Sequence, residues 1–600
     1  MKYRICTLVV LAASWLPVRA VENLATLLPE DVTVFSSAKD ARLFEQLDEH
    51  PLKKILVGSG LEKVMAPWIA KTAENKVKID KIFKEETGLS VDEVFKKFSG
   101  GSAAGAKIDF AALFMGFANR GGAGAPELPK GLFDVTLAMD FSGDEALAEK
   151  IVRSYGRMFG ELVKMPAAAA SPIPFAKFPD EYNATAEDYA GVKLHVWKLK
   201  KGAKSLIESP GYALIDGAMV VSFSEEGLKA SVDRVKKGGK SLAESPRHAA
   251  LAKSAKDSDM VSYFDIGSAV KSGMNMAAKE GGAGAGQGLS FVRALGLHKL
   301  DFIYFTLDLS KNRSDMEFGV TFHDNPGIMK VFATDGPGIV PNFLPPDADS
   351  GSHSTIYFDK MLAAIEGLMK EAVPAMGDMI GTQIDELKKQ TGVDIRKDII
   401  ANIGPDFISA SEPLKEGATK KEDDEEEELE PTIVGIKIKD RKTVELAVNT
   451  LINKSAPDGA MFEKREFQGV SINNMKEAPM GYIFTDDWFI LSMGPQTLLE
   501  KVITRLAKPG DDHLFAQPVV KSAFEGLPGG DDGSTFLDLG PTLDKLLEMA
   551  SGLGEVPGLS ELINLKDLPK KMNLPIVIGM RQYKDDNSFR VRLHIAEKKK

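Results

Sequence analysis

The residues able to do chemistry are scattered, and their spacing assembles no recognisable reaction centre. The eight histidines are His50, His195, His248, His298, His323, His353, His513 and His594. No two stand at helix-face spacing with a carboxylate, and neither H-E-x-x-H nor C-x-x-C occurs, so zinc chemistry has no sequence support. Ser36-Ser37-Ala38-Lys39 has the S-x-x-K spacing of a lysine-activated serine, and Lys271-Ser272-Gly273 loosely matches the K-T-G element that accompanies it. That mechanism needs the serine to open a helix. Here the serines close a strand-like run, and no S-D-N element is present. The glycines from Gly281 to Gly286 lack the Lys-Ser/Thr of a phosphate cradle. The acidic run from Glu422 to Glu428 lacks the alternating ligands and turn glycine of a calcium loop, and reads as solvated charge. The sequence thus predicts no catalytic residue, no metal and no cofactor. The alternative is an unrecognised hydrolase, which a spatial meeting of Ser, His and carboxylate would reveal.

The positive signal is apolar. Met361, Met369, Met376 and Met379 recur along a helical run over 361–387, with Met274, Met276 and Met549 on other helical segments. Flexible thioethers make an adaptable surface. Such a helix either packs into a core or borders a groove for a hydrophobic ligand or an envelope protein.

The elements that would position these residues occur twice. Gly211-Tyr212-Ala213-Leu214-Ile215-Asp216-Gly217 leading to Val220-Val221-Ser222 matches Gly481-Tyr482-Ile483-Phe484-Thr485-Asp486-Asp487 leading to Ile490-Leu491-Ser492. Gly191-Val192 matches Gly469-Val470, and Thr87-Gly88-Leu89-Ser90-Val91 matches Thr391-Gly392-Val393-Asp394-Ile395. Alternation and capping residues predict strand 132–141, helix 144–159, strand 192–199, hairpin 212–223, helix 225–235 and a strand ending at Phe264. The second copy reads 432–439, 442–452, 470–475, 482–493, 496–506 and a strand ending at Leu537. Hairpin-like pairs at 302–322 and 576–595 close the copies. Asp40, Asp265, Asp359 and Asp538 read as helix N-caps rather than catalytic acids.

The expected fold is α+β. It has two similar lobes, each a mainly antiparallel sheet with helices on one face, in an elaborated ferredoxin-like or split β-α-β order. The expected divisions are a signal peptide 1–20, a first lobe 21–324, a linker 325–342 and a second lobe 343–600. An acidic insertion falls at about 415–431. Glycine-rich stretches at 100–105, 121–125 and 281–288, and a Pro/Ala stretch from Pro166 to Pro179, read as loops.

Lys2 and Arg4, the apolar run Leu8 to Ala13, and Val18-Arg19-Ala20 form a Sec-type signal with cleavage after Ala20. Cys6 is the only cysteine, so the mature chain has no thiol or disulfide chemistry. The formal charge is −11, and becomes −14 without Lys2, Arg4 and Arg19, which disfavours nucleic acid as a partner. Later apolar runs are too short to span a membrane.

Leu27-Leu28-Pro29-Glu30-Asp31-Val32-Thr33-Val34-Phe35, followed by Pro51-Leu52, resembles the opening of the bacterial DUF3352 family of exported proteins. The run from Thr391 to Ile395 with Ile403-Gly404, and the 212–222 hairpin, are similar to recurring elements of that family. The resemblance implies a bacterial envelope protein and carries no functional residues with it. The expected function is therefore a soluble periplasmic or secreted protein that binds or scaffolds without catalysis. A carrier of a hydrophobic ligand held between the lobes is the alternative.

Overall fold

The computed structural model describes residues 24–39, 66–98, 100–118, 131–163, 178–203, 205–255, 258–280, 283–309, 314–324, 338–372, 374–413, 429–455, 461–529, 532–541, 575–585 and 587–598. The expected signal segment, Asp40, the 121–125 stretch, most of the Pro/Ala stretch, linker residues 325–337, the acidic run and Met549 lie outside the described residues.

The first half contributes strands β1 (Val34–Ala38), β2 (Ser102–Ile108), β3 (Phe133–Asp140), β4 (Tyr182–Tyr189), β5 (Val192–Leu199), β6 (Gly211–Ile215), β7 (Ala218–Ser222), β8 (Met260–Phe264), β9 (Leu300–Asp308) and β10 (Ser314–Phe322). The second contributes β11 (Ser350–Thr355), β12 (Ile403–Ser411), β13 (Thr432–Ile438), β14 (Phe462–Phe467), β15 (Val470–Met475), β16 (Met480–Phe484), β17 (Trp488–Met493), β18 (Gly533–Asp538), β19 (Ile576–Asp585) and β20 (Ser588–Glu597). The spatial order in the first half is β4-β5-β6-β7-β3-β2-β1-β8-β9-β10. The second half runs β14-β15-β16-β17-β13-β12-β11-β18-β19-β20, the same order of pairing. Among the described residues every pairing is antiparallel, and β10 pairs with β20 to join the 20 described strands into one sheet.

The helices are α1 (Ala66–Thr87), α2 (Val91–Phe95), α3 (Phe110–Ala118), α4 (Glu145–Val163), α5 (Glu225–Asp233), α6 (Pro246–Ser254) and α7 (Ile266–Glu280). They continue with α8 (Ala283–Ala294), α9 (Phe358–Ala372), α10 (Pro374–Thr391), α11 (Arg441–Ser455), α12 (Thr497–Ala507) and α13 (Pro518–Ala523). The fold is α+β. Among the described residues, no helix is long and apolar enough to cross a membrane.

Local chemistry explains the turns. The β4–β5 hairpin turns at Ala190-Gly191, β6–β7 at Asp216-Gly217 and β14–β15 at Gln468-Gly469, each with both residues at positive φ. That conformation matches strand twist and favours glycine at the second place. Thr87 and Thr391 each donate to the carbonyl four residues back, at 2.7 and 2.6 Å, as α1 and α10 end in left-handed Gly88 and Gly392. Ser90 and Asp394 then cap the following turns.

Several expectations need correction. Helices pack on both faces of the sheet rather than one. Leu228 and Val232 of α5 join Leu194, Ala213 and Val220 on one face, while Ala148 and Ile151 of α4 join Tyr212 and Met219 on the other. The 100–105 stretch is largely strand β2, because its small residues are needed there. A Cβ on Gly105 would meet Val32 Cγ1 at 2.7 Å. Residues 283–288 of the glycine-rich 281–288 stretch open α8 instead of forming a loop. The 361–387 run is two helices, divided before Pro374, which cannot continue a helix backward. Asp359 lies inside the first turn of α9, so it does not cap that helix. Asp265 does cap, accepting from Ser268 N at 2.8 Å.

Candidate functional site

Register places an apolar patch where the halves join. Across β9, β10, β20 and β19 the rows read Leu307, Met316, Leu593, Met580 and Phe305, Phe318, Val591, Gln582, followed by Ile303, Val320 and Phe589 on the first three strands. These side chains are half-buried, and Phe318 is 43% exposed. On the opposite face of the same strands Phe302, Tyr304, Thr306, Glu317 and His594 are buried, while Arg590 and Arg592 of β20 are half-buried. On β9 and β10 this inverts the usual rule for a one-sided sheet, since there the less covered face is the apolar one. Hydroxyl pairs flank the patch on the same face: Ser36 with Ser262 at 2.9 Å, Ser350 with Ser411 at 2.6 Å, and Ser352 with Ser409 at 2.7 Å. Ser36 thus sits within a strand and opens no helix.

Helix α7 packs beside the patch, with Ile266 and Val270 grouped with Leu300, Phe322, Val320 and Phe589. Helix α8 follows it and packs against α9 of the other half. On α9, Met361 and Met369 are half-buried, and no described side chain of that helix is fully buried. Met379 of α10 is 46% exposed. Met376 lies in α10 with its side chain outside the described residues. By contrast, Leu498, Leu499 and Val502 of α12 are wholly buried. The α9 methionines therefore border a loosely covered layer and belong to none of the core clusters formed among the described residues.

A second, polar site was not apparent from motifs. Glu145 begins α4, next to Asp144, which accepts from Leu147 N at 2.8 Å. Lys193 and His195 alternate along β5, and His195 pairs across strands with Tyr212. The two rings stack at 4.6 Å and 9°. Lys193 Nζ lies 2.6 Å from Glu145 Oε1, and His195 Nε2 lies 2.8 Å from the same oxygen without an aligned hydrogen bond. Tyr212 donates to the Glu145 carbonyl at 3.2 Å, and Lys236 Nζ reaches Asp216 Oδ1 at 3.3 Å. These groups line a cleft of about 250 Å³ between the start of α4 and the two hairpin turns. The Lys193 ammonium holds the Glu145 carboxyl below the usual carboxylate range. A histidine and a carboxylate meet here, but serine is not among the lining residues.

The sequence signal for this cleft is how the first half departs from the second at matching sheet positions. By position in the sheet, Tyr212 corresponds to Tyr482, His195 to Asn473 and Lys193 to Ser471. Arg441, first residue of α11, stands where Glu145 stands, and it bridges Asp486 at 3.2 Å.

No family model matches this chain, and no curated protein matches it. Among solved structures, crystal form IV of TP0453 is similar at 10% identity, over 44% of this chain and 92% of that one, with a TM-score of 0.22. Crystal forms III and I of TP0453 are similar at 10% identity, over 50% and 79%, with a TM-score of 0.21.

Proposed function

We propose that this chain is an exported, non-enzymatic binding protein of the bacterial envelope. Its ligand is an apolar molecule taken up against the patch on β9, β10, β20 and β19. The observation that supports this most is the row of half-buried Phe305 and Val591 with exposed Phe318 between them, on strands whose reverse face buries Phe302, Tyr304 and Glu317. Full burial of one such side chain would contribute roughly 1.5–3 kcal/mol, so a long apolar ligand covering several of them gains substantial affinity. The α9 methionines, being unbranched, allow the neighbouring helix layer to adjust to ligands of different shape. Membership of the DUF3352 family and processing after Ala20 are part of the same proposal. They rest on the sequence resemblance and the three-part N-terminal pattern.

The test is binding of an environment-sensitive apolar dye and of a fatty acid, followed by native mass spectrometry. Wild-type protein should bind both, and Phe318→Asp should lose at least ~10-fold in affinity while far-UV circular dichroism is unchanged. Equal binding by the folded variant would exclude this face as the site.

A further inference from the structure

We propose that the first half carries a separate site for a small zwitterion, of the amino-acid or short-peptide class, in the cleft bounded by Glu145, Lys193, His195, Asp216 and Lys236. The argument begins with the contrast between the halves. Each half places a helix start beside two hairpin strands, so the same location exists twice. In the second half, Arg441 reaches across to Asp486 at 3.2 Å and ties the helix start to the turn. In the first half the matching residues are Glu145 and Asp216, which are both acidic and cannot tie. Lys193 and Lys236 each neutralise one of them, at 2.6 and 3.3 Å, and the about 250 Å³ cleft remains between.

The wall chemistry selects the ligand. Two ammonium groups face two carboxylates, so the lining has no net charge apart from His195. A simple anion or cation would find as much repulsion as attraction there. A molecule carrying both signs can satisfy both. Its carboxylate takes Lys193 and Lys236, and its ammonium takes Glu145 and Asp216, exchanging ion pair for ion pair. Exposed pairs of this kind are weak and cost little to exchange. A neutral polyol cannot replace an ion pair that it displaces. His195 adds a directional group: its ring is only 13% exposed, fixed flat on Tyr212, with Nε2 lacking an aligned partner. Nε2 lies 2.8 Å from Glu145 Oε1, so a ligand ammonium that shifts Glu145 lets this buried nitrogen find an aligned partner.

The experiment is isothermal titration of the full chain with glycine and glycylglycine, set against acetate, ethylamine and glucose. Saturable binding of a zwitterion, at least ~10-fold tighter than any of the three controls, is expected. Glu145→Arg installs the second half's residue, which should close the cleft onto Asp216 and weaken binding at least ~10-fold. If that variant does not fold, Lys236→Met and Lys193→Ser serve instead, since both side chains are exposed, and each should weaken binding. Absence of saturable zwitterion binding, equal binding by the folded variants, or glucose or acetate binding as tightly as glycine, would each overturn the assignment. The apolar-dye assay is independent of this cleft, so either site can fail alone.

Discussion

Asp349 offers a prediction whose sign and size follow from its surroundings. It precedes β11, its carbonyl accepts from Asp538 N at 2.7 Å, and its Oδ1 accepts from Ser411 Oγ at 3.0 Å. Burial pushes its carboxyl from the ordinary 3.8 up to about 6; the Ser411 hydrogen bond opposes the rise, while Glu430 and Asp538 add repulsion. The matching residue of the first half is Thr33, a neutral hydroxyl between Ala106 O at 3.1 Å and Ile108 N at 2.9 Å. Because the folded pKa lies above the unfolded one, the native state holds the proton longer. Stability should therefore fall as pH rises between about 4 and 6, with the full cost present above that window. A shift of roughly two units corresponds to about 3 kcal/mol, an upper bound because the surroundings relax. Asp349→Asn keeps the acceptor for Ser411 and removes the charge. It should gain about 1–3 kcal/mol at pH 7.5 and almost nothing at pH 4.5. Urea unfolding at both pH values, with the m-value checked for constancy, measures this. A loss of stability at pH 7.5, or an equal gain at both pH values, would refute the reasoning.

Three further outcomes follow from the joint and the caps. Glu317 accepts from Tyr304 at 2.5 Å and from Arg592 across the β10–β20 pairing, so Glu317→Gln should cost about 3 kcal/mol by leaving a half-buried guanidinium unpaired. The exchange Glu317→Arg with Arg592→Glu should recover most of that loss in chemical unfolding; no recovery would show that the charges act independently. A Cβ at Gly579 would lie 1.9 Å from the Ala523 carbonyl of α13, so Gly579→Ala should lower stability by at least ~2 kcal/mol in a thermal melt. Asp394→Ala removes the side-chain cap on Arg396 N and Lys397 N and should cost about 1 kcal/mol, read from the urea midpoint.

Local signals were readable wherever a residue's own chemistry sets the backbone. Asp216-Gly217 marked its hairpin and Asp265 its helix cap, because each depends on neighbours within a few positions. Edge strands β4 and β14 were missed, since their largely exposed residues give no apolar face to read. Strand β2 was missed for the opposite reason: only its packing against Val32 explains its glycine. The candidate methionines were visible as a type and a period, but not the half-burial of Met361 and Met369, which depends on how α8 and α9 meet.

By itself, the chain determined the α+β class, the hairpin units and a composition with a single cysteine, since alternation, turn residues and composition are properties of short segments. Tertiary structure decided the rest. It brought β10 to β20, placed Glu317 against Arg592 and His594 2.5 Å from Asp315, and left Phe318 uncovered on the reverse side. It also gathered Glu145 with Lys193 and His195 from separate elements, while setting Arg441 against Asp486 in the other half. Pairing partners hundreds of residues apart are chosen by the whole sheet, and no local preference encodes that choice.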